Sequence, residues 1–419
     1  MPSPNPLNRT NPLIHLPLIA LALLFSVPLL WLLLTSLQPR EQVGKIPPEW
    51  LPRQNFITVN GETITVTPPA PVGSDKLLVE PTAGPERGKQ LLVEPSDYLG
   101  EQLKLRRQIA DRVEEKRYPA KLVQTVPAHF VIVKEWFLSK YTRHQARVFY
   151  VEPSRVVAKI SPVLGNYPEA IRALTASEKD KALPLGELLS KSSLPWTGKG
   201  DRNKTVTFVT YLSNTLLVAL LAVIGTVSSS ALVAYGLSRI PWRGRATLFS
   251  LTLATMMVPF PVLMVPLYGV FRSLGWIGTL LPLWVPAFFG GAFNIFLLRQ
   301  FFLTIPAELS DAARIDGCSE FGIFWRVILP LARPALSVVA LFTFLNVWND
   351  FLGPLIFLTE PRTFTMSLGL QQYQSQFGGS EWHLLMAASA LLVMPIIVLF
   401  FFAQKTFIQG ISTTGMGGR

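Results

Sequence analysis

Six runs of apolar residues, each long enough to cross a bilayer, leave this chain few ways to fold. They lie at 13–37, 206–236, 247–271, 277–298, 335–358 and 383–403. A span needs about 20 such residues, and in lipid its backbone polar groups must find partners within the helix or on a neighbouring one. The sequence is 49% hydrophobic and 15% charged, with a mean hydropathy of +0.36. Residues 38–205 hold most of the Glu, Asp and Lys, so the flanking regions are more apolar than that average. The expected fold class is an all-α polytopic membrane protein with six transmembrane helices and an inserted extracytoplasmic domain of α/β or β-rich character.

Residues 1–37 form a short polar start with Arg9, followed by the first apolar run. The run exceeds a signal-peptide core of about 7–15 residues and no AxA-like site follows. An uncleaved first helix is therefore expected. Within 38–205 the stretch ITVNGETITV (57–66) alternates apolar and polar residues around Asn60-Gly61, a hairpin signal. LLVEP occurs at 77–81 and again at 91–95, too short a repeat to announce a solenoid. DYLGEQLKLRRQIADRVEEKRY (97–118) reads as an exposed helix, and two β-rich runs follow. The inserted domain is bounded at about 57–160, and the five remaining spans occupy 206–419.

Small residues on the second span (Gly225, Ser228, Ser229, Ala231, Ala234) suit close helix approach. The third contains Pro259, Pro261 and Pro266, which are tolerated where neighbours re-satisfy the freed carbonyls, so it is expected inside the bundle. Arg239, Arg243 and Arg245 lie between spans two and three; Arg299, Arg314, Arg326 and Arg333 lie between four and five. Only Arg272 and Arg362 occupy the alternate loops. The positive-inside rule puts both termini and residues 306–334 in the cytoplasm and 38–205 outside.

A net charge of +12 is explained by this topology without nucleic acid. Cys318 is the single cysteine, so the chain forms no intrachain disulfide and no thiolate metal site. His15, His129, His144 and His383 are scattered without metal-ligand spacing, and GxxxxGK[ST] is absent, so no metal site or nucleotide-binding loop of its own is expected.

Residues 306–334, IPAELSDAARIDGCSEFGIFWRVILPLARP without its first Ile, form the longest amphipathic, charged run in the apolar half. Pro306 opens a helix with Glu308 and Asp311 in its first turns, where carboxylates favour the N-terminus. Gly317 breaks it, and a second run ends at Pro330. Ala312, Ala313 and Gly317 leave room for another surface, with Glu308, Asp311, Arg314 and Asp316 at the rim. Read from its residues alone, this is either a docking surface or an interfacial helix that seals the bundle.

DAARIDGCSEFGIFWRVILP resembles the coupling-helix motif of ATP-binding-cassette (ABC) importer permeases: Glu-Ala-Ala, three residues, Gly, nine residues, Ile, one residue, Leu-Pro. Asp311, Ala312, Ala313, Gly317, Val327, Leu329 and Pro330 occupy those places, with Asp311 for Glu, Val327 for Ile, and Cys318 where Ala is common. SNTLLVALLAV (213–223), AYGLSRIPWRGR (234–245), FNIFLLRQFFLTIPAEL (293–309), FLNVWNDFLGPLIFL (344–358) and QKTFIQGISTTGMGGR (404–419) resemble the MalG-like carbohydrate permeases of that family. SLQPREQVGKIPPEWLP and NYPEAIRAL are similar to its segments after the first helix and before the second. Residues 57–160 lie outside the resemblance.

The resemblance implies a non-enzymatic permease in a prokaryotic inner membrane, importing a sugar or related polyol. It implies four kinds of partner: a second, MalF-like permease, a dimer of ATP-binding subunits, an extracytoplasmic solute-binding protein, and membrane lipid. ATP would be used by the partner ATPase and no cofactor by this chain. Coupling would fall to Glu308, Asp311, Ala312, Ala313, Gly317, Leu329 and Pro330. For the substrate path, Asn346, Trp348, Asn349 and Asp350 are the candidates, because polar residues in a span face a bundle interior or a wet cavity and amides beside an aromatic face suit sugars. The same residues also suit an interhelical polar clamp. An ion-driven secondary transporter would call for repeated halves and carboxylate-lined broken helices, and only Asp350 is an acid within a span. A membrane-anchored ligand-binding scaffold would need no motif-bearing loop.

Overall fold

The computed structural model describes residues 15–43, 45, 47–109, 112–136, 147–175, 179–192, 205–373 and 381–414. Arg9, His144 and the tail beyond 414 lie outside them. Two compact units divide the chain, residues 1–166 and 167–419.

The first unit opens with α1 (His15–Ser36), apolar and mostly exposed. Eleven strands follow: β1 (Arg53–Val59), β2 (Glu62–Val66), β3 (Ala70–Pro71), β4 (Lys76–Pro81), β5 (Leu91–Val93), β6 (Tyr98–Leu99), β7 (Gln102–Ile109), β8 (Arg112–Val126), β9 (Val131–Lys134), β10 (Val148–Val151) and β11 (Val157–Ile160). They form three sheets, ordered β11-β1-β2, β10-β9-β3 and β5-β4-β8-β7-β6. The expected hairpin is β1–β2, with Val59 opposite Glu62 and positive φ at both Asn60 (52°) and Gly61 (83°), as a two-residue type I′ turn requires. The two LLVEP copies pair with each other, Leu77 opposite Val93 and Val79 opposite Leu91.

Residues 97–118 are strands rather than the expected helix. Leu103 and Leu105 are spaced by two; Leu103 is fully buried and Leu105 packs beside it. The β7–β8 ladder puts Leu103 opposite Tyr118 and Leu105 opposite Lys116 in antiparallel register.

The second unit begins with α2 (Asn166–Ala173), whose Asn166 closes the first, and α3 (Leu185–Ser190). It continues through α4 (Phe208–Ser238), α5 (Arg245–Thr255), α6 (Phe260–Ser273), α7 (Leu281–Trp284), α8 (Ala292–Thr304), α9 (Ala307–Ile315), α10 (Glu320–Ile323), α11 (Leu329–Leu331), α12 (Arg333–Asn349), α13 (Leu352–Phe357), α14 (Met366–Gly369) and α15 (Trp382–Thr414). Among the described residues, four helical segments are long and apolar enough to cross a membrane, or six if each bent pair counts as one span. The fold is a helical bundle of membrane-spanning character with a β-rich N-terminal region.

Two of the expected spans are bent at prolines, and another changes helix type along its length without such a bend. The third is α5 and α6, bent by 98°. Pro259 and Pro261 start α6, where the missing N–H has no helical partner to lose. Contrary to the expected interior position, α5 buries none of its residues in this chain and α6 only Phe271. The fourth is α7, a 3₁₀ turn (Val285–Phe289) and α8. Ala287 O accepts there from Ser229 Oγ at 3.1 Å, and Gly291 N donates to Ser230 Oγ at 3.4 Å. A Cβ on Gly225 would stand 2.5 Å from the Phe288 ring, so the small face of α4 does admit a close neighbour. The fifth bends by 79° between Leu331 and Arg333.

Candidate functional site

The loop between α8 and α12 is built in two helical halves. α9 ends in a left-handed Gly317 (φ 79°). Gly317 N donates to Arg314 O (3.0 Å) and Cys318 N to Ala313 O (2.9 Å), the paired bonds of a Schellman cap, with Ala313 and Cys318 as its apolar contact. Ser319 then caps α10, its Oγ accepting from Gly322 N at 3.2 Å. A π-helical turn, Phe324–Ile328, follows. Pro330 has no N–H for the carbonyl four residues back, which explains the wider turn.

One face of this loop is sealed. Ala313, Ile323, Phe324 and Ile328 are buried against Tyr235 on α4 and Leu298 and Phe302 on α8. Three large apolar side chains of the loop stand outside that core. Ile315 is 87% exposed, Phe321 66% and Trp325 62%, and the Phe321 and Trp325 rings stack at 6.3 Å.

Charged groups tie the two halves together. Arg314 Nη1 donates to Asp311 Oδ1 (2.7 Å) and its Nε to Glu320 Oε1 (2.9 Å). Glu320 Oε2 accepts from the Tyr235 hydroxyl at 2.7 Å. Asp311, Arg314, Glu320 and Tyr235 thus form a continuous chain from the loop to the end of α4. Its carboxylates, Glu320 first, raise the Arg314 guanidinium above its usual pKa.

Beneath the loop, α4 and α8 cap one another. Arg239, just past α4, donates from Nη2 to Phe302 O (2.5 Å) and to Ile305 O at the end of α8. Arg299 on α8 donates from Nε to Leu237 O (3.2 Å) at the end of α4, with its guanidinium 4.1 Å from the Phe249 ring centroid. Cations at helix C-termini satisfy carbonyls that lack a partner and oppose the dipole, each stabilising by about 0.3–1 kcal/mol, or up to about 2 kcal/mol when partly buried. Burial lowers the Arg239 pKa from its ordinary value.

The coupling candidates are placed as follows. Glu308, Asp311, Ala312 and Pro330 are exposed; Ala313 is buried and Leu329 packs at the edge of the same core; Gly317 is exposed at the hinge. A cleft between α4 and α9 is lined by Arg239, Glu308, Ser310, Asp311 and Arg314. The sequence reading missed Tyr235, Glu320, Ile315, Phe321 and Trp325. Unshielded aromatics inside a charged loop were the available signal.

The four substrate-path candidates share one helical turn but do not converge. Trp348 is 1% exposed, donates from Nε1 to Leu392 O (3.3 Å) on α15 and stacks on Phe344 at 5.2 Å. Asp350 Oδ1 accepts from Gly353 N (3.1 Å) at the start of α13. Asn346 and Asn349 are exposed, and Asn349 Nδ2 donates to Leu345 O (2.8 Å) in its own helix. Among the described residues no group of three or more His, Cys, Asp or Glu is arranged to hold a metal.

Residues 226–413 match the family described as "Binding-protein-dependent transport system inner membrane component". The chain is 36% identical to the arabinooligosaccharides transport system permease protein AraQ of Halalkalibacterium halodurans over 209 residues, covering 50% of this chain and 74% of that one. It is 37% identical to AraQ of Bacillus subtilis, covering 49% and 72%. It is 33% identical to the trehalose/maltose transport system permease protein MalG of Thermococcus litoralis, covering 51% and 77%. A solved bacterial ABC transporter involved in alginate import superposes with a TM-score of 0.44 at 23% identity, over 57% of this chain and 90% of that one. These relatives are transport subunits rather than enzymes. With a broken-helix bundle, a two-part loop carrying the spaced Asp-Ala-Ala and Gly, and relatives of this identity and coverage, the chain belongs to the binding-protein-dependent transport system inner membrane components, the permeases of ABC importers.

Proposed function

We propose that this permease imports an oligosaccharide or related polyol, and that residues 306–334 dock on a separate ATPase. The observation that carries the docking is the exposure of Ile315 and of the stacked Phe321–Trp325 pair on a charged loop. Exposed apolar groups among polar residues mark protein contacts, and the loop is held in place by the Schellman cap and by the chain of bonds to Tyr235. The saccharide class follows the names of its relatives.

In this reading both termini and the loop are cytoplasmic, in keeping with the arginine distribution, and residues 38–205 face outward. The working assembly adds a second permease, two ATP-binding subunits and an extracytoplasmic binding protein. The chain itself binds no cofactor, and ATP is used by its partner. Closure of the ATPase pair moves the docked loop. The loop's buried face drives α4 and α8 as a block, and the pathway alternates between its two openings. ATP binding needs to supply only the difference between those states, a few kcal/mol. Asn346 and Asn349 are the available sugar contacts on α12, with Trp348 and Asp350 fixing the helix ends around them.

The test is reconstitution of the complete transporter in vesicles, measuring sugar uptake and ATP hydrolysis together. Gly317→Val forces a β-branched residue to φ 79° and displaces the cap. Uptake is expected to fall at least tenfold while hydrolysis persists; undiminished uptake would refute the coupling role.

A further inference from the structure

A cleft of about 140 Å³ opens in the first unit where the chain leaves α1. A single water needs at least about 10–15 Å³ of such volume, so the cleft admits several waters or a small polar ring. Its walls are fixed. Gln42, 4% exposed, is engaged at both ends: Nε2 donates to Leu51 O (2.6 Å) and Oε1 accepts from Arg53 N (2.9 Å). Trp136 donates from its indole Nε1 to Glu41 Oε2 (3.2 Å) and from its backbone N to Thr65 O (2.9 Å). Its polar edge is therefore occupied, and the ring lines the cleft as an apolar surface.

Two groups in the cleft remain available. Arg53 and Asn55 are two apart on β1 and so project from the same face of the sheet. That face is sealed further along by Ile57 and Ile64. At Asn55, opposite Val66 on one side and Ala158 on the other, it opens into the cleft. Neither side chain bonds to another described residue. The charges balance: Glu41 and Glu49 against Lys45 and Arg53, with Lys45 and Glu49 paired at 3.1 Å. Such a cleft has no field that selects an ion. It offers an aromatic face beside hydrogen-bond donors and acceptors, the combination that suits a ring with apolar C–H faces and equatorial hydroxyls.

We propose that this cleft is a saccharide-binding subsite, in which a sugar ring lies against Trp136 while Asn55 and Arg53 bond its hydroxyls. The inference stands apart from the coupling loop. An imported oligosaccharide and an envelope glycan share this chemistry, and the test separates them.

Full-length permease in lipid nanodiscs is titrated with maltotriose, arabinotriose and triacetylchitotriose by saturation-transfer NMR. At least one is expected to bind saturably, with transfer to ring C–H protons, and Trp136→Leu and the Arg53→Ala/Asn55→Ala pair are each expected to weaken it about tenfold. Neither change touches the sealed residues of the sheet, and the thermal midpoint of each variant is measured alongside. In the reconstituted transporter, a raised uptake KM in these variants identifies the ligand as cargo. An unchanged KM identifies it as a glycan of the envelope. Absence of binding at millimolar sugar, or equal binding by folded variants, would overturn the proposal.

Discussion

Tyr235 is 4% exposed, yet its hydroxyl reaches a carboxylate of the loop at 2.7 Å. A buried hydroxyl bonded to a charged acceptor contributes about 1.5–3 kcal/mol, and here that bond joins a membrane helix to a surface loop. Tyr235→Phe keeps the ring packed on Phe324 and removes only the tie. Its expected effect is a loop that moves independently of α4: hydrolysis retained and sugar carried per ATP reduced several-fold, measured in the same vesicles. A fall in both activities in proportion would show that the hydroxyl only stabilises the fold. Gly317 gives a second residue-level test. A Cβ there meets nothing within 4 Å, so any cost comes from the backbone alone, about 1–2 kcal/mol for an ordinary residue at positive φ. Asn tolerates that conformation, and Gly317→Asn is expected to retain most of the uptake that Gly317→Val loses.

The elements show which sequence signals were sufficient. Asn60-Gly61 between alternating strands specified its hairpin because the turn chemistry is local. The Asp-Ala-Ala and Gly spacing specified the loop because helix, cap and hinge all fall within a short stretch. Residues 97–118 misled because apolar positions at helical spacing within a charged stretch outweighed the Leu103 and Leu105 alternation, and β4, which pairs with β8, lies distant in sequence. The prolines of the third run were read as tolerated within a buried helix; Pro259 and Pro261 stand at a helix start and only Pro266 lies inside α6, a difference that a hydropathy pattern does not distinguish. The substrate-path quartet was chosen by residue type, and side-chain direction separates it: Trp348 turns to α15 while Asn346 and Asn349 remain exposed. The Gly225 approach is testable at this scale. Gly225→Leu drives a side chain into Phe288, with an expected loss of about 1–3 kcal/mol from overpacking, read as a lower thermal midpoint in detergent. Adding Phe288→Ala is expected to restore part of it; no restoration would place the strain elsewhere.

For the whole molecule, orientation and docking have to agree. With Cys318 replaced by Ser, single cysteines at Asn60 and Ile315 report the two sides. In right-side-out vesicles an impermeant thiol reagent is expected to label Asn60→Cys directly and Ile315→Cys only after permeabilisation; the reverse pattern would invert the topology. The same Ile315, 87% exposed, lies on the loop assigned to the ATPase. A photo-crosslinking residue placed there in the intact transporter tests the central claim most directly. The expected result is a crosslink to the ATP-binding subunit that changes in yield when ATP is bound. Crosslinks confined to lipid or to the permeases themselves would contradict it.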